Sequence, residues 1–442
     1  MKSLLSFVLI VLSAPLLAQN NTLIKNISVF NGKDNKVFKA NILIEGKLIK
    51  KIDSNAIAVD TKTTTIIDGT GKYMMPGLID AHAHTLLESM PLPMLLTSDF
   101  AFVNLYAAHC AEKQLMRGFT TVRDMGGNSF SLAKAIDKGL VKGPRIFPSG
   151  AGISQTGGHG DFGLPTDVPR EGVDHSYLAK TGMTAIADGA DQVLLRAREQ
   201  LRQGASQIKL MAGGGIVSMY DPIDAVQYTQ AEINAAVTAA ENWGTYVTVH
   251  AYLPKSIQTA IAAGVKCIEH GQLIDEPTAQ LMAEKGIWWC LQPFLNDEDA
   301  TPFPEGSDNW KKQLEIINGT ENAYRLAKKY KIKTAFGIDC LFDSVAPKNQ
   351  GKILCKLQHW FTPFEILSMA THNNAELLSM SNKRNPYPEG KLGEITEGAY
   401  ADLIIVDGNP LTNLQLIENP EKNFKLIMKD GIIYKNNMTA TK

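Results

Sequence analysis

Charge of one sign is what this chain most clearly lacks. Its 442 residues carry 44 Lys and Arg against 45 Asp and Glu, a formal net charge of −1. No electrostatic footprint for a nucleic acid is present, and a small substrate is favoured instead. Cysteine is also scarce. Cys110, Cys267, Cys290, Cys340 and Cys355 are odd in number and scattered, which excludes a disulfide framework. Cys267, Cys290 and Cys340 lie in or beside apolar runs, where a free thiol behaves as a small hydrophobe. Long hydrophobic runs are missing after the start of the chain, so nothing there reaches the roughly 20 residues a membrane span needs. The opening "MKSLLSFVLIVLSAPLLAQN" sets Lys2, a shorter apolar stretch and the small Ala18 before a polar start. That is the pattern of a secretory signal peptide cleaved near Ala18–Gln19. No cysteine follows it for lipid attachment, so the expected destination is the periplasm or the exterior. An exported protein with so few staples must hold itself together through a large core, and a composition of 44% hydrophobic and 20% charged residues suits one.

The chain does contain a repeated alternation between about residues 77 and 380. Short β-branched apolar runs recur at "GLIDAHAH" (77–84), "FTTVRDMG" (119–126), "PRIFPSGA" (144–151), "QIKLMAGGG" (207–215), "TYVTVHAY" (245–252), "VKCIEHG" (265–271), "IWWCLQP" (287–293) and "KTAFGID" (333–339). Amphipathic helical patterns lie between them, at 191–204, 229–244 and 321–331, and several end in Gly as a helix C-terminus prefers. Eight strand-like runs with helices between them predict an eight-stranded α/β barrel over residues 76–388. The rival doubly wound sheet lacks its phosphate loop, because the GGG at 213–215 does not have the spacing of a dinucleotide fingerprint. Residues 19–75 and 389–442 alternate short β-prone runs with Gly and Asn turns. They read as one small β domain made of both termini, with the barrel inserted between them.

In such a barrel, side chains at the C-terminal ends of strands face the catalytic mouth. His82 and His84, at i and i+2, share a face of strand 1. His250 ends strand 5, His270 ends strand 6, Asp339 ends strand 8, and Lys209 lies within strand 4. Imidazole and carboxylate converging from separate strands suit a divalent metal, and zinc takes such nitrogen and oxygen ligands. Lys209 has two readings. It is a buried ion pair with Asp339 or Glu269, or an amine that loses its proton on burial and adds carbon dioxide to become a bridging carbamate. His109, His359, His372 and the loop residue His175 are assigned to packing or surface. Trp288 and Trp289 alternate faces, so only one of them points inward.

The ordered set "PGLIDAHAH", "IKLMAGGG", "VTVHAY", "IEHG", "FGID" and the tail "GEITEGAYADLIIVDGNPL" resembles the amidohydrolase superfamily over nearly the whole mature chain. The resemblance implies a distorted (β/α)8 TIM barrel inserted in a small β-sandwich domain made of both termini. It also implies two divalent metal ions, usually zinc. His82, His84 and Asp339 would hold the more buried ion and His250 and His270 the more exposed one, with carboxylated Lys209 bridging both. Asp339 would take a proton from the bridging water as it attacks a carbonyl and pass it to the leaving nitrogen. "ISQTGGHGD" (153–161) with "IKLMAGGG" looks like the imidazolonepropionase-related branch that includes Xaa-Pro, Xaa-Arg and Xaa-Lys dipeptidases and ochratoxin-type amide hydrolases. There, the histidine matching His159 lies beside the substrate carbonyl, and the tyrosine matching Tyr252 holds substrate or polarises the scissile bond. The "CLFD" after Asp339 and the bulky "WWCLQP" depart from many relatives and bear on substrate choice. The expected activity is therefore metal-dependent hydrolysis of an amide or peptide C–N bond in a dipeptide or N-acyl amino acid. The alternatives are a cyclic-amide hydrolase, a metal-binding scaffold without catalysis and a periplasmic solute-binding protein. A homo-oligomer is left open.

Overall fold

The computed structural model describes residues 21–168 and 176–438, so the leader expected over 1–18 and the loop residue His175 lie outside the described residues. The chain opens with β1 (Asn21–Phe30), β2 (Val37–Glu45), β3 (Leu48–Asp53), β4 (Thr64–Asp68) and β5 (Tyr73–Pro76). It continues through β6 (Leu78–Ala83), β7 (Phe119–Asp124), β8 (Arg145–Pro148), β9 (Gly152–Ser154) and β10 (Thr184–Ile186). Next come β11 (Ile208–Met211), β12 (Val247–Ala251), β13 (Cys267–His270), β14 (Trp288–Cys290) and β15 (Thr334–Ala335). The last strands are β16 (Leu403–Val406), β17 (Phe424–Lys429) and β18 (Ile432–Asn436).

Strands β1–β5 and β16–β18 make one hydrogen-bonded sheet in the order β18-β17-β16-β5-β1-β2-β3, with β4 on β1. The two termini therefore complete each other: β5 runs parallel to β1 on one side and antiparallel to β16 on the other. Alternating Ile, Val, Leu and Met on these strands, among them Ile24, Ile42, Leu403, Ile405 and Leu426, build a separate apolar core.

The parallel strands form two arcs, β6-β7-β8 and β10-β9-β11-β12-β13-β14-β15. The run read over 144–151 is strand only at Arg145–Pro148, and β9 follows after Ser149–Ala151 in the other arc. At the other seam the Ala81 N–H donates to the Phe336 carbonyl (2.9 Å) and the Asp339 N–H to the His82 carbonyl (2.9 Å). Every residue of β6, β7, β11, β12 and β13 is buried, the signature of strands covered on both faces. Helices pack outside them. Gln230–Trp243 starts on a capping box, Thr229 with Glu232, and stops at Gly244 in the left-handed region (φ 74°). Trp288 turns toward Cys267, Cys290 and Tyr246, while Trp289 joins the outer core beneath the helices. All five cysteines are buried and free. Among the described residues no helix is long and apolar enough to cross a membrane.

Two expectations need correcting. The strand read over 333–339 pairs only at Thr334–Ala335. Asp339 is therefore not at a strand end but four residues beyond it. The reason is local: the Phe336 N–H is taken by the Asn374 side chain (3.0 Å), and Gly337 packs against β6 so closely that a Cβ there would lie 2.5 Å from the His82 nitrogen. His250 likewise precedes the end of its strand by one residue. The short strands β9 and β10 had no counterpart among the expected runs.

Candidate metal centre and cleft

The residues singled out from five separate runs meet at one end of the parallel strands. Asp339 Oδ1 lies 3.2 Å from His82 Nε2 and 3.1 Å from His84 Nε2, and these three side chains are close enough to share one cation. His270 stacks beside them, its ring 4.9 Å from that of His82 and 4.4 Å from that of His250. Two of the group hold strained backbone, His270 at φ 76° and Asp339 at φ 51°, a conformation that is costly for such residues and persists where the surroundings impose it.

Each imidazole is gripped by its outward nitrogen. His82 Nδ1 is 2.8 Å from Glu269 Oε2, and His84 Nδ1 is 3.5 Å from the Gly126 carbonyl. His250 Nε2 is 2.9 Å from the Gly214 carbonyl, and His270 Nδ1 is 2.8 Å from Gln292 Oε1. Gln292 is in turn oriented by donating to the Cys290 carbonyl (3.2 Å). Carbonyls accept, so His250 and His270 carry a proton on the outer nitrogen and present a lone pair inward, whereas His82 faces a carboxylate at both nitrogens and His84 Nε2 faces Asp339. An outer nitrogen held by a carbonyl or carboxylate is the arrangement metal-binding histidines adopt. Burial holds His84, His250 and His270 below their ordinary value, with neighbouring imidazoles adding to the effect at His250. A lowered value favours the neutral form that ligation requires. At His82 burial and Lys209 push the same way, but Asp339 and Glu269 outweigh them and the value rises.

Lys209 is 1% exposed, and among the described residues no carboxylate comes within 4 Å of its ammonium and no hydrogen bond reaches it. The ion pair with Asp339 or Glu269 is not formed. Burial lowers its pKa, only partly opposed by those two carboxylates. A buried amine with no described carboxylate within 4 Å thus lies beside these imidazoles. Asp339 is held well below the usual carboxylate range: burial alone would raise it, but His82 and His270 and the hydrogen bonds from His82 and His84 prevail.

A cleft of about 120 Å³ opens from this cluster, lined by His159, Tyr252 and Asp339 and by apolar side chains such as Phe294, Phe303 and Ile353. His159 stacks on His250 at 4.0 Å, and its Nδ1 meets Ser218 Oγ at 2.9 Å. Burial pushes it down to about 4. The Tyr252 ring lies 5.0 Å from His250 and 5.1 Å from His270. Gly215 has a steric duty here, since a Cβ would sit 2.0 Å from the His159 ring. The other histidines stay away: His109 and His359 are exposed, and His372 pairs with Glu394 at 3.0 Å.

The sequence pattern described as the amidohydrolase family matches residues 73–435. The chain belongs to that family. This amidohydrolase is 31% identical over 430 residues to ochratoxinase of Aspergillus niger, spanning 90% of this chain and 83% of that protein. It is similar to the crystal structure of a prolidase complexed with N-methylphosphonate-L-proline, at 32% identity and TM-score 0.84, over 94% of this chain and 100% of that one. It is also similar to a Xaa-Pro dipeptidase with bound methionine in the active site, at 29% identity and TM-score 0.80, over 94% of this chain and 100% of that one.

Sequence reasoning missed the groups that hold the amidohydrolase's imidazoles. In it Glu269 figures only as a partner for Lys209, and Gln292 and the Gly126 and Gly214 carbonyls are not singled out. One signal was available: Arg123, a charge in the middle of the apolar "FTTVRDMG", is tolerated in a buried strand only beside a partner.

Proposed function

We propose that this amidohydrolase cleaves the C–N bond of a dipeptide or an N-acyl amino acid with the help of two divalent cations, zinc foremost. The observation that carries the reading is the meeting of four buried imidazoles, Asp339 and a Lys209 with no described carboxylate within 4 Å at the head of an apolar cleft. His82, His84 and Asp339 would hold one cation, and His250 and His270 the other. The Lys209 amine, having added carbon dioxide and released a proton, would lie between them. When bound, such ions lower the pKa of water and polarise a carbonyl. The chain's own groups do the rest. The Asp339 carboxylate, kept ionised by its imidazole neighbours, accepts the proton of the attacking water and delivers it to the leaving nitrogen, which departs as a neutral amine. His159 and Tyr252 face the same space and hold the substrate on either side of the scissile bond. The apolar cleft takes the bulk of the molecule. The prolidase, dipeptidase and ochratoxinase relatives are named for reactions that fit this one.

The same reading takes the two arcs as one distorted (β/α)8 barrel and the terminal sheet as a small sandwich-like domain around it. It also takes the first 18 residues as a leader removed on export; N-terminal sequencing of the exported protein should begin near Gln19.

The test is a panel of Xaa-Pro, Xaa-Arg and Xaa-Lys dipeptides, N-acyl amino acids and cyclic ureides, assayed before and after chelation. Turnover of open-chain amides that vanishes on chelation and returns with zinc supports the proposal. Full-rate activity in excess chelator, or turnover of the cyclic substrates alone, would refute it.

A further inference from the structure

Under the four imidazoles lies an ion pair with no contact to the cleft. Arg123 of β7 and Glu269 of β13 are both 0% exposed, and Arg123 Nη2 donates to Glu269 Oε1 at 2.6 Å. The guanidinium is fully used: Nε donates to the Ala81 carbonyl (2.6 Å) and Nη1 to the Tyr246 hydroxyl (3.2 Å). The carboxylate is equally satisfied. Oε1 also accepts from the Thr248 hydroxyl and the Cys267 thiol, and Oε2 accepts from His82 Nδ1 at 2.8 Å. Burying such a pair gains little stability, because desolvation cancels most of the attraction and apolar replacements of like volume are often no worse. Stability therefore gives no reason for the pair, but its contacts do. Arg123 grips the backbone carbonyl just before His82, and the acid it holds grips the His82 ring.

We propose that Arg123 and Glu269 are positioning residues for His82. Glu269 can only accept, so it fixes a proton on Nδ1 and aims Nε2 at Asp339. Arg123, bonded at once to Ala81 and to Glu269, sets the distance between the β6 backbone and the acid that aims the ring. The inference rests on the reading of His82 as a metal ligand, but its claim of a proton on Nδ1 stands apart from that reading.

The decisive variant is Arg123→Met with Glu269→Leu, which replaces the pair by apolar side chains. The expected result is a metal-stripped protein melting within a few degrees of the parent, while zinc retained after dialysis falls from two to one per chain. Affinity for the lost ion should drop about 10- to 100-fold, the usual effect of removing such a partner. Nitrogen-15 histidine spectra of the metal-free parent should show a hydrogen-bonded proton on His82 Nδ1, and the variant should lose that bonded signal. If the double variant does not fold, Glu269→Gln is read by the same two measurements. A variant that keeps two tightly held zinc ions, or a parent in which His82 Nδ1 carries no proton, overturns the inference. A parent that binds no zinc while His82 is protonated at Nδ1 sinks the proposed function but sustains the positioning role.

Discussion

The terminal sheet and the mouth of the parallel strands treat left-handed backbone in opposite ways. In the sheet it falls to Asn26, at the bulge of β1, and to Asp430, in the turn between β17 and β18, residue types whose short polar side chains tolerate it. At the mouth it falls to Asp339 and also to the bulkier His270 and Phe342, for which the cost is on the order of 1–3 kcal/mol each. Burial differs in the same sense. The sheet buries aliphatic side chains against one another, whereas the mouth buries His82, His84, Lys209, His250 and His270 almost completely. Stability is generated in one region, and the other is held in a conformation it would not choose alone.

That contrast can be broken from either side. The largest effect belongs to Asp339→Asn, which keeps the shape and removes the base. Turnover should fall about 10³-fold, within the range of general acid–base loss, with the melting temperature little changed; a variant within tenfold of the parent in kcat would contradict the assignment. Gly337→Ala comes next. Its new methyl presses on the His82 backbone at the seam between β15 and β6, so Asp339 and His82 should separate and kcat fall on the order of 10²-fold, as small misplacements do. Steady-state kinetics beside the melting curve decides whether geometry or stability was lost.

In the sheet the outcome should invert. Ile405, wholly buried in β16, lies between Met74 and Leu426. Ile405→Ala should cost about 2–5 kcal/mol in chemical denaturation and leave kcat per folded molecule as it was. The smallest effect concerns Asp407, whose pKa is lowered by hydrogen bonds from Lys72 and then Lys425. A depressed carboxylate contributes above its unfolded value of 3.8 and loses that contribution as pH falls through its lower folded value. Asp407 is 42% exposed, so screening limits the gain to under about 1 kcal/mol. Asp407→Asn should therefore differ slightly from the parent at pH 7 and not at all once pH is well below 3.8; a difference that grew on acidification would reverse the sign argued here.

Most of the architecture was legible because period and punctuation speak locally. Alternating apolar runs, Gly at helix ends and the Thr229–Glu232 cap each act within a few residues. The imidazoles and Asp339 were legible as chemistry out of place in apolar runs. The strand expected over 333–339 was not, because its ladder is broken by Asn374 and by the close approach of Gly337 to β6, both set by residues far along the chain. The same holds for Glu269, which looks like any strand residue until Arg123 and His82 are known to flank it. His159 was reached through the family resemblance of "ISQTGGHGD", but Ser218, which holds its Nδ1, lies in the excursion that follows β11 and carries no pattern.

The pairing of β5 with both β1 and β16 has a further effect on how the molecule is made. A ribosome delivers β5 more than 300 residues before residues 403–406 emerge, so throughout synthesis of the intervening domain one edge of β5 has no partner. The N-terminal strands must wait, half-finished, for the last segment to dock. Losing that segment to early termination would expose an adhesive edge, so quality control on the nascent polypeptide has a single late checkpoint to watch.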